Sequence, residues 1–180
     1  MNKWLVLLRG INVSGQKKIV MAELRELLAV NGFGRVVTYI QSGNIIVDLE
    51  EEMVQLATET KVKRLIHENY GFDVGVFARA PEWFKSVAQN NPFLNNPAAD
   101  RQQLYLTLLD QVPTRENISR LDDFNTADDE YLIRESVIYI NYPNGAGKAR
   151  LTNNLIESKL KVKATSRNWN TTLKLIELSS

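Results

Sequence analysis

Short apolar runs of strand length alternate along this chain with longer stretches in which apolar residues recur every three or four positions, and that alternation predicts the order of its elements. Lys3 to Arg9 (KWLVLLR) is too short for a helix and rich in strand formers, so it is expected as a strand buried on both faces. Val20, Leu24, Leu27 and Leu28 then recur at helical spacing until Asn31-Gly32 supplies a stop. Arg35 to Ile40 and Asn44 to Leu49 are two strand-like runs separated by Gln41-Ser42-Gly43, a short turn whose glycine tolerates positive φ. Met53 to Asn69 reads as a polar-faced helix with Leu56, Ala57, Leu65 and Ile66 inward, and Val74 to Ala78 as a further strand.

This first part is strand-helix-strand-strand-helix-strand, the ferredoxin-like order. In that topology the first two strands run the same way with the third between them. Leu8 to Lys18 (LRGINVSGQKK) and Tyr39 to Asn44 are therefore expected as neighbours at one sheet edge. A short helix over Pro81 to Gln89, carrying Trp83, precedes the breakers Asn90-Asn91-Pro92 and Asn95-Asn96-Pro97. Beyond them the order repeats. Gln103 to Leu109 is a strand, and Thr114 to Phe124 a helix bearing Ile118 and Leu121; Glu130 to Arg134 with Val137 to Tyr142 form a hairpin. Arg150 to Leu160 is a helix with Leu151, Leu155 and Ile156 inward, Val162 to Ser166 a strand, and Asn170 to Leu178 a closing helix.

The predicted class is α+β: two ferredoxin-like (βαββαβ) halves with antiparallel sheets, plus a linking helix and a C-terminal helix. The expected boundaries are an N-terminal half over 1–79, a linker over 80–101 and a C-terminal half over 102–180. The same geometry brings Gly145 to Arg150 (GAGKAR) beside Arg167 to Thr171 (RNWNT).

At 180 residues and 44% hydrophobic, the chain is long enough to bury a real core. With 22 basic against 21 acidic residues, it lacks the wholesale positive charge of a dedicated duplex binder. The charge is nonetheless uneven. Residues 1–47 carry six Lys or Arg against two acids and residues 143–180 seven against two, while 48–98 carry five against eight and 99–142 four against nine. No cysteine is present, which removes disulfides and thiolate chemistry, and the single His67, expected at the surface, leaves zinc poorly served. Without an export or membrane-spanning signal, the expected location is cytoplasmic, with no membrane partner. Nothing indicates an oligomeric state.

Both basic ends concentrate Gly, amide and cationic residues. Arg9, Asn12, Lys17 and Lys18 lie in the first loop, Gln41, Ser42 and Asn44 in the adjoining turn, Lys148 and Arg150 in the glycine loop, and Arg167, Asn168 and Asn170 before the closing helix. A glycine loop opening a helix offers free N–H groups to an anion, but GAGKAR is not a Walker A loop, since Ala149 stands where the hydroxyl residue belongs. The alternative for the last group is structural: one Asn caps the closing helix and Trp169 anchors it. Acid pairs such as Asp122-Asp123 and Asp128-Asp129-Glu130 fall at helix ends and turns, where carboxylates cap and solvate.

An RNA-recognition sheet needs stacking aromatics, yet the corresponding positions are Asn44, Ile46 and Leu49, with Val6 to Leu8 on the first strand. No Ser-His-Asp arrangement, metal-ligand spacing or cofactor motif is present, and no residue stands out as catalytic. The leading expectation is a cytoplasmic protein that binds a phosphorylated or anionic small molecule in a cleft between the halves. The alternatives are nucleic-acid phosphate binding through the same loops, and a phosphoryl or nucleotidyl transfer enzyme.

LLRGINVSGQKK, MAELRELL, YIQSGNIIV and ATSRNWNTTLKL together resemble the bacterial family catalogued as domain of unknown function 1697. The resemblance extends over nearly the whole chain and implies an α+β fold of two related halves, with no activity attached. Position by position it falls on Arg9, Gly10, Asn12, Gly15 and Lys18, on Gln41 to Asn44, and on Arg167 to Thr171. Three departures stand out: Ser14 for a frequent Gly, Val20 for a frequent Pro, and Ala149 for a frequent Ser. If that Ser hydroxyl performs chemistry in relatives, this chain lacks it, whereas an electrostatic site survives on Lys148 and Arg150.

Overall fold

A strand hydrogen-bonded on both sides lies at the centre of each half. The computed structural model describes residues 2–13, 15–49, 54–97 and 99–180, so Ser14 and Met53 lie outside the described residues. In the first half, β1 (Asn2–Arg9), α1 (Met21–Val30), β2 (Val36–Tyr39), β3 (Asn44–Leu49), α2 (Gln55–Tyr70) and β4 (Gly75–Arg79) follow the predicted order. The sheet runs β2-β3-β1-β4 with every neighbouring pair antiparallel. Leu5 to Leu8 are all buried, so β1 is covered on both faces as its apolar run predicts. Val6, Leu8, Ile45 and Val47 pack beneath Leu24 and Leu28 of α1 and Val62, Leu65 and Ile66 of α2. Each such side chain contributes about 1.5–3 kcal/mol through burial.

Three core assignments are corrected. Leu56 is 72% exposed and Ala57 is exposed as well, because the buried stripe of α2 runs through Thr58, Val62, Leu65 and Ile66. A residue two places before Thr58 is turned about 200° away from that stripe. Val20 is 55% exposed. It is the extended N-cap of α1 and is not on a helical face, so Met21 takes the core position.

α3 (Pro81–Gln89) leads to the second half, which comprises β5 (Leu104–Leu109), α4 (Arg115–Asp122), β6 (Glu130–Arg134), β7 (Val137–Asn141), α5 (Asn153–Leu160) and β8 (Ala164–Asn168), closed by α6 (Trp169–Ser179). Its sheet has the equivalent antiparallel order, β6-β7-β5-β8. The chain divides into two compact units, Met1–Lys85 with Leu175–Ser180, and Ser86–Lys174. Within the second, the Tyr139 hydroxyl donates to the Val87 carbonyl at 2.9 Å, tying the end of α3 to the sheet.

The glycine loop does not open a helix directly. It forms its own single 3-10 turn at Ala146–Lys148, and α5 begins only at Asn153, where the Thr152 hydroxyl accepts from the Leu155 N–H at 3.3 Å. β8 also starts two residues later than predicted and extends through Asn168, because Tyr105 of β5 pairs with that residue.

Gly43 closes the β2–β3 turn at φ 77°, and a Cβ there would stand 2.6 Å from the Leu8 Cβ. Gly71 has a similar φ of 75° but open space around it. In urea unfolding, Gly43→Ala is expected to cost about 3–4 kcal/mol, strain and overpacking together, against about 1–2 kcal/mol for Gly71→Ala. Equal losses would mean that Leu8 gives way freely.

Candidate functional site

At the edge where β1 ends, one carboxamide joins two loops. Asn12 sits at φ 53°, a conformation that asparagine adopts more readily than most residues. Its Oδ1 accepts from the Ile19 N–H at 2.9 Å, and its Nδ2 donates to the Ile19 carbonyl at 2.9 Å and the Gln41 carbonyl at 2.8 Å. The Asn12 N–H bonds to the Lys17 carbonyl at 3.2 Å and the Gln16 N–H to the Val13 carbonyl at 3.0 Å, which brings the two sides of the loop together. The loop and the turn are therefore neighbours, as the topology predicts.

The turn is held with similar economy. Asn44 is fully buried, and its Nδ2 donates to the Tyr39 carbonyl at 3.0 Å and the Ser42 hydroxyl at 2.9 Å. The Leu8 N–H donates to the Gly43 carbonyl at 2.8 Å. Of the candidate residues here, Asn12, Ser42 and Asn44 direct polar side-chain atoms at the protein itself. Gln41, Lys17 and Lys18 are exposed, and Arg9 is half-buried opposite Gly75 of β4.

The Lys17 ammonium donates to the Asp73 carbonyl at 2.6 Å. Among the described residues, no carboxylate forms an ion pair with Lys17 or Lys18. Beyond the buried Ile19, Val20 is the N-cap of α1 and offers no side-chain acceptor to the first amides, whose partial positive charge adds to theirs. The acid of that first turn, Glu23, lies near Tyr70; burial, and secondarily Glu23, raises the Tyr70 hydroxyl above its ordinary pKa.

Left-handed backbone gathers at the same edge. Of the twelve positive-φ residues among those described, six are here: Gly10, Asn12, Gly15, Lys17, Ile40 and Gly43. Ile40, at φ 49°, is the least suited, since a β-branched side chain in this region costs about 1–2 kcal/mol. Sequence reasoning does not single it out, because nothing in the propensity of isoleucine predicts that conformation.

The second half's candidates lie at a different edge, where β5 begins and β7 and β8 end, with Leu104 opposite Asn141 and Tyr105 opposite Asn168. The repeated topology therefore does not repeat the site. Asp129 Oδ2 accepts from the Arg150 N–H at 2.7 Å and the Leu151 N–H at 2.8 Å, while Asn144 Nδ2 donates to Asp128 Oδ2 at 2.8 Å. Arg150 Nη1 reaches the Asn125 carbonyl at 3.4 Å. The Tyr142 hydroxyl, its pKa pushed well up chiefly by burial, donates to the Leu151 carbonyl at 2.7 Å. The acidic turn thus supplies this loop with an anion of its own.

Arg167 is only 7% exposed, and its Nη1 donates to the Thr165 hydroxyl at 2.9 Å and the Ser166 carbonyl at 2.8 Å. Burial lowers its pKa to about 10, still far enough above neutrality to keep it charged. Asn168 Oδ1 accepts from the Thr171 N–H at 2.8 Å, the cap expected for α6, and Trp169 is buried. Lys148 and Asn170 are exposed. Among the described residues, no three His, Cys, Asp or Glu side chains gather as a metal site would need, and no helix is long and apolar enough to cross a membrane.

Two four-stranded antiparallel sheets, each built strand-helix-strand-strand-helix-strand, define an α+β protein of two ferredoxin-like halves. The chain belongs to the family described as "Protein of unknown function (DUF1697)", whose model matches residues 1–139. That span contains the first loop and the β2–β3 turn and ends before Arg167. The conserved bacterial protein SP0830 from Streptococcus pneumoniae has a similar fold, with a TM-score of 0.70 and 22% identity over 99% of each chain. No curated protein matches the chain.

Replacing Asn12 by Gly keeps the backbone conformation accessible and removes three hydrogen bonds; a loss of about 2 kcal/mol is expected, with faster hydrogen exchange at the Ile19 amide. In the second half, Asp129→Ala leaves two amides without their carboxylate and should cost about 2 kcal/mol in denaturant unfolding. An unchanged midpoint in either variant would show that water replaces the lost acceptor without penalty.

Proposed function

We propose that this protein binds a phosphorylated or otherwise anionic small molecule at the edge where β1 ends. The observation that carries the reading is the presentation of Lys17 and Lys18, without a carboxylate partner among the described residues, immediately before the uncapped start of α1. Helix starts and ammonium groups favour the same sign of charge. The loop that presents them is already closed by Asn12, so little ordering remains to oppose binding. Gln41 adds an exposed amide, and Arg9 a second, partly sheltered cation.

The Lys148 and Arg150 edge contributes less to this reading, because Asp128 and Asp129 already sit against that loop. Arg167, Asn168 and Asn170 are read as members of the α6 entrance, where Asn168 is committed as a cap.

A thermal-shift screen of nucleotides, sugar phosphates and coenzymes tests the proposal. A ligand present at 100 times its dissociation constant adds about 2.7 kcal/mol, and a rise of roughly 5–10 °C is expected. Lys17→Gln combined with Lys18→Gln should abolish most of that rise while leaving the unliganded melting temperature within about 2 °C. The reading is wrong if every ligand gives a flat response at millimolar concentration, or if the double variant responds as the parent does.

A further inference from the structure

The same edge presents more than charge. Val13 is 59% exposed, Val20 55% and Ile40 50%. Each adjoins a residue that the Asn12 side chain holds, or Asn12 itself: Val13 follows Asn12, Val20 follows Ile19, and Ile40 precedes Gln41. Single exposed aliphatic residues call for no explanation. Three branched ones sit next in sequence to residues joined through the Asn12 amide, on the same edge as Lys17 and Lys18, which form no ion pair among the described residues, and we read them as one patch of mixed character. Ile40 makes the patch informative. It is held in the left-handed region, where its branched Cβ is crowded, and half of its surface remains in water. The fold gains neither a relaxed backbone nor full burial from an isoleucine there. Strain of this kind gathers where a ligand is gripped.

We infer that the anion bound at this edge carries an apolar group directly beside its charge: the ligand class is a soluble phosphomonoester, or similar anion, of a hydrophobic alcohol. Its head lies on Lys17 and Lys18 and its hydrocarbon across Val13, Val20 and Ile40. This rests on the anion-binding reading and specifies the part of the ligand that charge alone leaves open. A wholly polar anion would leave all three aliphatic side chains in water. A hydrocarbon laid against them gains affinity with each methylene removed from solvent.

Isothermal titration with inorganic phosphate, then ethyl, butyl and hexyl phosphate, reads this directly. Affinity is expected to rise about two- to fourfold per methylene until the patch is covered. Ile40→Asn should leave inorganic phosphate binding unchanged and flatten the rise. Asparagine accepts the left-handed conformation, so that variant should melt no lower than the parent, which separates a lost contact from a lost fold. Val13→Ser provides a second, independent flattening. Equal affinity for all four phosphates, or a slope unchanged in both variants, overturns the inference and leaves the anion reading intact. Failure of all four to bind overturns the inference, and the anion reading falls with it only if the thermal-shift screen is flat as well. Binding to phosphatidylcholine vesicles doped with phosphatidic acid, without binding to hexyl phosphate, overturns it in favour of a membrane surface.

Discussion

The first half depends on a strand with no free edge. β1 is laddered to β3 along one side and to β4 along the other, so a shift of register would have to break both ladders together. It would also turn Val6 and Leu8 out of the core beneath the helices, since a slip by one residue exchanges the faces of a strand. The pairing of Leu7 with Asn44 and of Arg9 with Gly75 therefore fixes the turn on one side of the exit and the start of β4 on the other. What gathers at that edge is dictated by register before any loop preference acts.

The same logic explains what the sequence discloses. Asn44–Leu49, Glu130–Arg134 and Pro81–Gln89 are legible to the residue, because hydrophobic periodicity breaks sharply at their turn residues. Adjacency of the first loop and the β2–β3 turn is legible too, as a consequence of topology. Helix entrances are less so: Val20 and Leu56 fit the apolar spacing, yet the face is set by later turns and both point outward. The internal roles of Asn12 and Asn44 are hidden for a different reason, since a carboxamide has the same donors and acceptors whether it meets a ligand or a backbone. The left-handed Ile40 contradicts its own propensity and is imposed by the ties around it.

Tallying charge by segment places acids in the middle of the chain and bases at its ends, but folding recombines them. Asp129 lies 21 residues before Arg150 in sequence and 2.7 Å from its amide in space. Lys17 and Lys18 meet no such counterpart among the described residues. Two cation-rich loops that look alike as text therefore differ in their surroundings: carboxylates bond to the amides of one, while the cations of the other stand at an exposed edge, where salt screens them within about a Debye length of 10 Å.

The Asp129 carboxylate has one further consequence. An anion attached to the chain meets its loop at the effective concentration of an intramolecular partner, which for a short tether reaches the millimolar range or above. The Arg150 and Leu151 amides thus have their acceptor encoded in the polypeptide, 21 residues upstream of Arg150.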